Sequence, residues 1–161
     1  MHRSAATTAT LLLAAALFAS CSSDDDQPVN PGGTPSSGFT FKVDGTSVTV
    51  DSARAVLYTL GIPPNNREVD VFAYAGGQEV LEFHFLPRTG TQTAAQNFNE
   101  AWLTYESHGT NYHSQSGQLV LTTCDTTAGR FEGTFQFVGQ SGTTTHTITE
   151  GRLLVTRMTR Q

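Results

Sequence analysis

The chain has 161 residues, 37% of them hydrophobic, with 9 Lys+Arg against 14 Asp+Glu and a formal charge of -5. That length suits one domain with an independent core, and a chain with a single lysine, Lys42, and no basic run lacks the clustered charge of a nucleic-acid surface. Of the two cysteines, Cys21 reads as a lipidation site, which leaves Cys124 without a partner, so no internal disulfide is expected.

Met1-His2-Arg3 gives a basic start, and Leu11 to Ala19 gives an apolar run. The run is too short to span a bilayer, which takes about 20 apolar residues. Its length matches the hydrophobic region of a cleaved signal peptide, and Phe18-Ala19-Ser20-Cys21 ends it with small residues before a thiol. We read residues 1–20 as a lipoprotein signal peptide and Cys21 as the lipidated first residue of the mature chain. Two or more acyl chains would then hold the protein on a membrane, at about 0.8 kcal/mol per buried CH₂. Cys21 with Ser22-Ser23-Asp24-Asp25-Asp26 resembles the start of Bacteroidetes lipoproteins, a resemblance that implies export to the outer face of the outer membrane.

From Ser22 to Gly38 hydrophobic periodicity is absent, and Pro28, Pro31 and Pro35 punctuate a run of small and polar residues. Such a stretch buries too little apolar surface to offset the entropy of ordering, so residues 21–38 are expected to be a lipidated, disordered tether. At about 3.1 Å per residue it would reach roughly 50 Å.

Residues 39–161 read as an all-β domain rich in Thr, Val, Phe and Tyr. Strands are expected near 39–43, 46–50, 53–60, 69–75, 78–86, 101–107, 116–124, 130–138 and 144–157, the last broken by a bulge at Gly151. Only Thr93 to Leu103 has room for a turn or two of helix. Asp44-Gly45 and Gly76-Gly77 are two-residue hairpin loops, because glycine accepts the positive φ that these turns demand. If Gly76-Gly77 closes an unbroken ladder, Phe72 faces Leu81 and Asp70 faces Phe83. One face then collects Phe72, Tyr74, Leu81, Phe83 and Phe85, and the other Val69, Val71, Ala73, Val80, Glu82 and His84. Nine short strands joined by consecutive hairpins point to a single antiparallel β-barrel, lipocalin-like, or a β-sandwich.

Gly117-Gln118-Leu119-Val120-Leu121-Thr122, Gly133-Thr134-Phe135-Gln136-Phe137 and Ile148-Thr149-Glu150-Gly151-Arg152-Leu153 resemble a family of uncharacterised Bacteroidetes all-β lipoproteins, as does Phe41-Lys42-Val43-Asp44-Gly45. The resemblance implies fold and location; it brings no activity and no functional residues.

Candidate chemistry is sparse. Glu82 and His84 share a strand face and are a candidate acid–base pair, as are Glu106 and His108. Glu106, His108 and His113 match no zinc spacing, so neither a metal nor another cofactor is expected. Cys124 lies in a strand and reads as a small buried hydrophobe. The basic residues between Arg152 and Arg160 read as solvating the last strand. Trp102, Tyr105, His108, Tyr112 and His113 surround a polar segment, 106–115, that reads as a loop, and they are the candidate ligand-binding residues. Exposed aromatics stack on sugars and peptides, so the expected function is a membrane-anchored, non-catalytic domain that binds a glycan, a lipid or a protein. The alternatives are a small hydrolase using a Glu/His pair and a purely structural envelope component.

Overall fold

The structure is a computed structural model that describes residues 38–60, 67–95 and 100–161. Cys21 and the tether therefore lie outside the described residues, save Gly38, which opens the first strand. Asp44 and Gly45 both take positive φ, 48° and 82°, and join β1 (Gly38–Val43) to β2 (Thr46–Thr49) as the sequence predicts. Gly76 and Gly77, at φ 58° and 77°, likewise join β4 (Arg67–Ala75) to β5 (Gln78–Phe85). The remaining strands are β3 (Ser52–Thr59), β6 (Gly90–Thr93), β7 (Ala101–Ser107), β8 (Thr110–Asp125), β9 (Arg130–Ser141), β10 (Thr144–Val155) and β11 (Met158–Arg160).

All eleven belong to one sheet, in the order β11-β3-β4-β5-β7-β8-β9-β10-β1-β2, with β6 set beside β8. The sheet curls strongly into a half-barrel. Its ladders are antiparallel except for β11 on β3, a parallel pair at the margin. Only Val50 and Asp51 separate β2, which pairs with β1, from β3, which pairs with β4. The stretch 46–59 thus carries the chain from one margin of the sheet to the other, so the fold is barrel-like and all-β.

The interior is filled by aromatic rings. Phe83 of β5 lies edge-on to Phe135 of β9 at 4.7 Å and to Phe39 of β1 at 5.6 Å, and Phe85 meets Phe131 at 5.8 Å. Edge-to-face rings at these spacings add roughly 0.5–1.5 kcal/mol per pair beyond their buried area. The bulge expected at Gly151 is present, as a register shift between Ile148 and Gly151. A Cβ at Gly151 would collide with the Phe135 carbonyl and ring, which is why no larger residue fits.

Three sequence expectations need correction. The β4–β5 ladder is not continuous: beyond Tyr74↔Glu79 the register shifts, so that Ala73 faces Leu81 and Asp70 faces His84. Skipping Val80 places Val69, Val71 and Ala73 on the same inner face as Leu81, Phe83 and Phe85, and all six are buried. A one-residue slip exchanges the faces of a strand, and the bulge is favoured because it buries both apolar sets at once. Phe72 and Tyr74, expected in the core, therefore face outward. Next, segment 106–115 is not a loop, since only His108 and Gly109 turn, both at positive φ, and β8 begins at Thr110. Within Thr93–Leu103, where the sequence leaves room for a turn or two of helix, residues 96–99 lie outside the described residues, and Ala94 is bridged to Ala101. Finally, β6 and β11 were not anticipated. β6 is polar, and its buried Gln92 uses its side-chain amide to bond Leu86 and Arg88; no alternating pattern announces such a strand.

Candidate functional site

The bulge at Val80 builds the most organised polar cluster among the described residues. Two cross-strand rows run over the outer face of the sheet. One contains Asp70, His84 and Trp102, on β4, β5 and β7; the other contains Phe72, Glu82, Thr104 and His113, on β4, β5, β7 and β8. Under the unbroken register Asp70 would face Phe83, and the cluster would not exist.

His84 is its centre. Its Nδ1–H donates to Asp70 Oδ1 at 2.8 Å and lies 3.4 Å from Glu68 Oε1, while its Nε2–H points to Glu82 Oε1 at 3.2 Å. Burial alone would lower the imidazole pKa, but hydrogen bonds to Asp70 and Glu82, and the charges of both, outweigh it and push the value up to about 10. His84 is therefore an imidazolium at neutral pH. Burial and the neighbouring charge of Asp70 raise the Glu68 carboxyl, whereas the hydrogen bond from His84 lowers that of Glu82. Further along the face, burial and the charges of Glu82 and Glu106 raise Glu79. The outer face of β4, β5 and β7 is acidic, with His84 as a fixed cation within it.

Glu68, Asp70 and His84 offer one ligand atom each within 4.8 Å of one another, a spacing that one metal ion could bridge. In the structure His84 Nδ1 lies against both carboxylates, 2.8 Å from Asp70 and 3.4 Å from Glu68, and its proton offsets part of their charge. The same proton argues against catalysis by the Glu82/His84 pair, because a group that keeps its proton to about pH 10 is a poor general base near neutrality.

Four of the five candidate binding residues divide between two faces, and the fifth stands in a turn. Trp102 lies outward and half-buried, its ring 5.6 Å from that of His84 and 5.2 Å from that of His113. His113 Nδ1 is held by the Thr104 hydroxyl at 3.1 Å. Tyr105 lies on the opposite side of β7, packed against the core, stacked on Tyr112 at 6.0 Å and edge-on to His146 at 5.5 Å. His146 in turn bonds Asp44 at 2.6 Å, which ties the first turn to β10. His108 stands exposed in the β7–β8 turn with its ring on the Ser107 hydroxyl at 2.9 Å, and it does not join the cluster. Cys124 is half-buried, and burial raises its pKa, as suits an inert thiol.

The sequence exposed Glu82 and His84 as neighbours but missed Glu68 and Asp70. A lone Asp between Val69 and Val71 was the available signal, and reading it required the bulge. No helix among the described residues is long and apolar enough to cross a membrane. The chain matches no protein-family model, and no curated protein or solved structure is significantly similar to it.

Proposed function

We propose that this chain is a lipoprotein of the outer membrane, anchored through Cys21, displayed at the cell surface and related to the Bacteroidetes lipoproteins that its motifs resemble. Its β-domain binds a ligand, without catalysis, on the outer face of β4, β5, β7 and β8. The observation that carries the binding reading is Trp102 standing between the imidazoles of His84 and His113, on a face whose carboxylates are already fixed. An aromatic ring edged by immobile acceptors and donors suits a glycan: the ring takes an apolar sugar face, and Glu82 and His113 take hydroxyls. Side chains held in place before binding lose little entropy when the ligand arrives.

The test is a titration of the chain from Ser22 onward against a panel of soluble glycans. At least one glycan should bind, and Trp102→Ala should weaken it about tenfold or more while the domain stays folded at the assay temperature. A panel without a binder, or a Trp102→Ala protein that binds as well as the parent, would overturn the reading. The anchor is tested separately: labelled palmitate should enter the parent chain and not Cys21→Ala.

A further inference from the structure

Four of the described arginines lie at one end of the strands. Arg67 opens β4, Arg130 opens β9, Arg157 follows β10 and Arg160 closes β11. The ladders bring these positions together, because Val155 faces Phe131, Arg130 faces Asp125 and Arg160 faces Leu57, next to the end of β3 that faces Arg67. Two of the guanidinium groups converge on one residue. Arg67 Nη2 donates to the Thr126 hydroxyl at 3.2 Å, and Arg160 Nη2 donates to the Thr126 carbonyl at 2.8 Å.

Beside them is an open hollow of about 510 Å³, lined by Thr127, Gly129, Arg157, Met158 and Arg160 among others, with no carboxylate in its lining. The acids nearest in sequence stand outside the lining, each with its own partners. Asp125 accepts the backbone N–H groups of Thr127 and Ala128, both at 2.8 Å, and Glu132 is paired with Arg130. Arginines that border a hollow with no carboxylate in its lining favour an anion, and arginine's planar fork matches phosphate oxygens in pairs. Gly38, where the chain enters the sheet, faces Leu154, two residues before Thr156 of the same hollow. The basic end is thus the end of the sheet at which β1 begins.

We propose that this hollow is a phosphate-binding site formed by Arg157 and Arg160, with Arg67 beside them. The phosphate belongs either to a lipid headgroup or to a soluble phosphate ester, and the chemistry of capture is the same for both. The site is separate from the Trp102 face and does not depend on acylation of Cys21.

The experiment uses the unlipidated chain from Ser22 onward, in three forms: parent, Arg157→Glu, and Lys42→Glu. Lys42 lies on β1, paired with Glu150, and gives the same change of charge away from the hollow. One arm titrates inorganic phosphate against chloride at matched ionic strength and follows amide shifts of Thr127 and Gly129. The other floats the protein with vesicles of phosphatidylcholine, with and without phosphatidylglycerol. Phosphate-specific shifts, weakened about fivefold or more by Arg157→Glu and not by Lys42→Glu, support the site with a soluble ligand. Flotation that requires phosphatidylglycerol and is lost in Arg157→Glu alone supports it with a lipid ligand. Neither response in the parent, or equal weakening by both substitutions, overturns it.

Discussion

His84 has a carboxylate on each ring nitrogen, whereas Arg157 and Arg160 border a hollow whose lining holds no carboxylate at all. The first region is half-buried and built across the middles of strands; the second is exposed and built at their ends. That difference decides what each charge does. On the β4–β5–β7 face, burial penalises any unpaired charge, so the carboxylates are tolerated because the imidazolium lies among them. At the strand ends water screens Arg157 and Arg160 from each other, so they can border a hollow with no carboxylate in its lining and stay open to an anion. A compensated cluster holds its side chains in place for a neutral ligand, and a cluster short of carboxylates leaves its charge open to an anion.

Substitutions can break this contrast, and the largest effect is expected beneath the acidic face. Phe83 is fully buried between Glu82 and His84 on the same strand. Phe83→Ala should cost about 3–5 kcal/mol of unfolding free energy in urea titrations. A loss under about 1 kcal/mol would mean that the outer cluster does not stand on the aromatic core.

Next in size is His84→Leu, which leaves Asp70 and Glu82 without their shared donor. It should destabilise the domain by about 1–3 kcal/mol. The same substitution in place of an exposed arginine, Arg157→Leu, should change stability by less than about 0.5 kcal/mol. Equal losses at the two positions would erase the distinction between paired and free charge.

The pH dependence sharpens it further. The folded-state pKa of His84 is raised, so its contribution is complete below the ordinary histidine value and is lost as pH rises through about 10. Unfolding free energy should therefore decline from pH 6.5 toward pH 10 in the parent. In Asp70→Asn, which removes a charge and keeps the shape, the decline should come at lower pH. Proton NMR of the His84 ring should show the same downward movement, and an unchanged titration would contradict the assigned hydrogen bond.

The smallest effect is expected at Lys42–Glu150, an exposed pair at 2.7 Å. Lys42→Ala should cost no more than about 0.5 kcal/mol, and less in high salt, because solvent screens such pairs.

The sequence by itself determined what local chemistry can determine. Asp44-Gly45 and Gly76-Gly77 named their hairpins because φ > 0 is a property of the residues in the turn, and Gly151 named its bulge for a related reason of space. The alternation of Phe131, Phe135 and Phe137 likewise identified a core strand and the all-β class. Only the tertiary structure decided which face of β4 is inside, because the extra residue at Val80 is selected by the burial of Val69, Val71 and Ala73 against the rest of the barrel. That choice brings Asp70 to His84, and pairing across strands brings Arg67 and Arg160 to Thr126 from positions far apart in the chain. Turns are written in neighbouring residues. The charged clusters exist only where strands meet, since their energies depend on distances that a linear pattern does not contain.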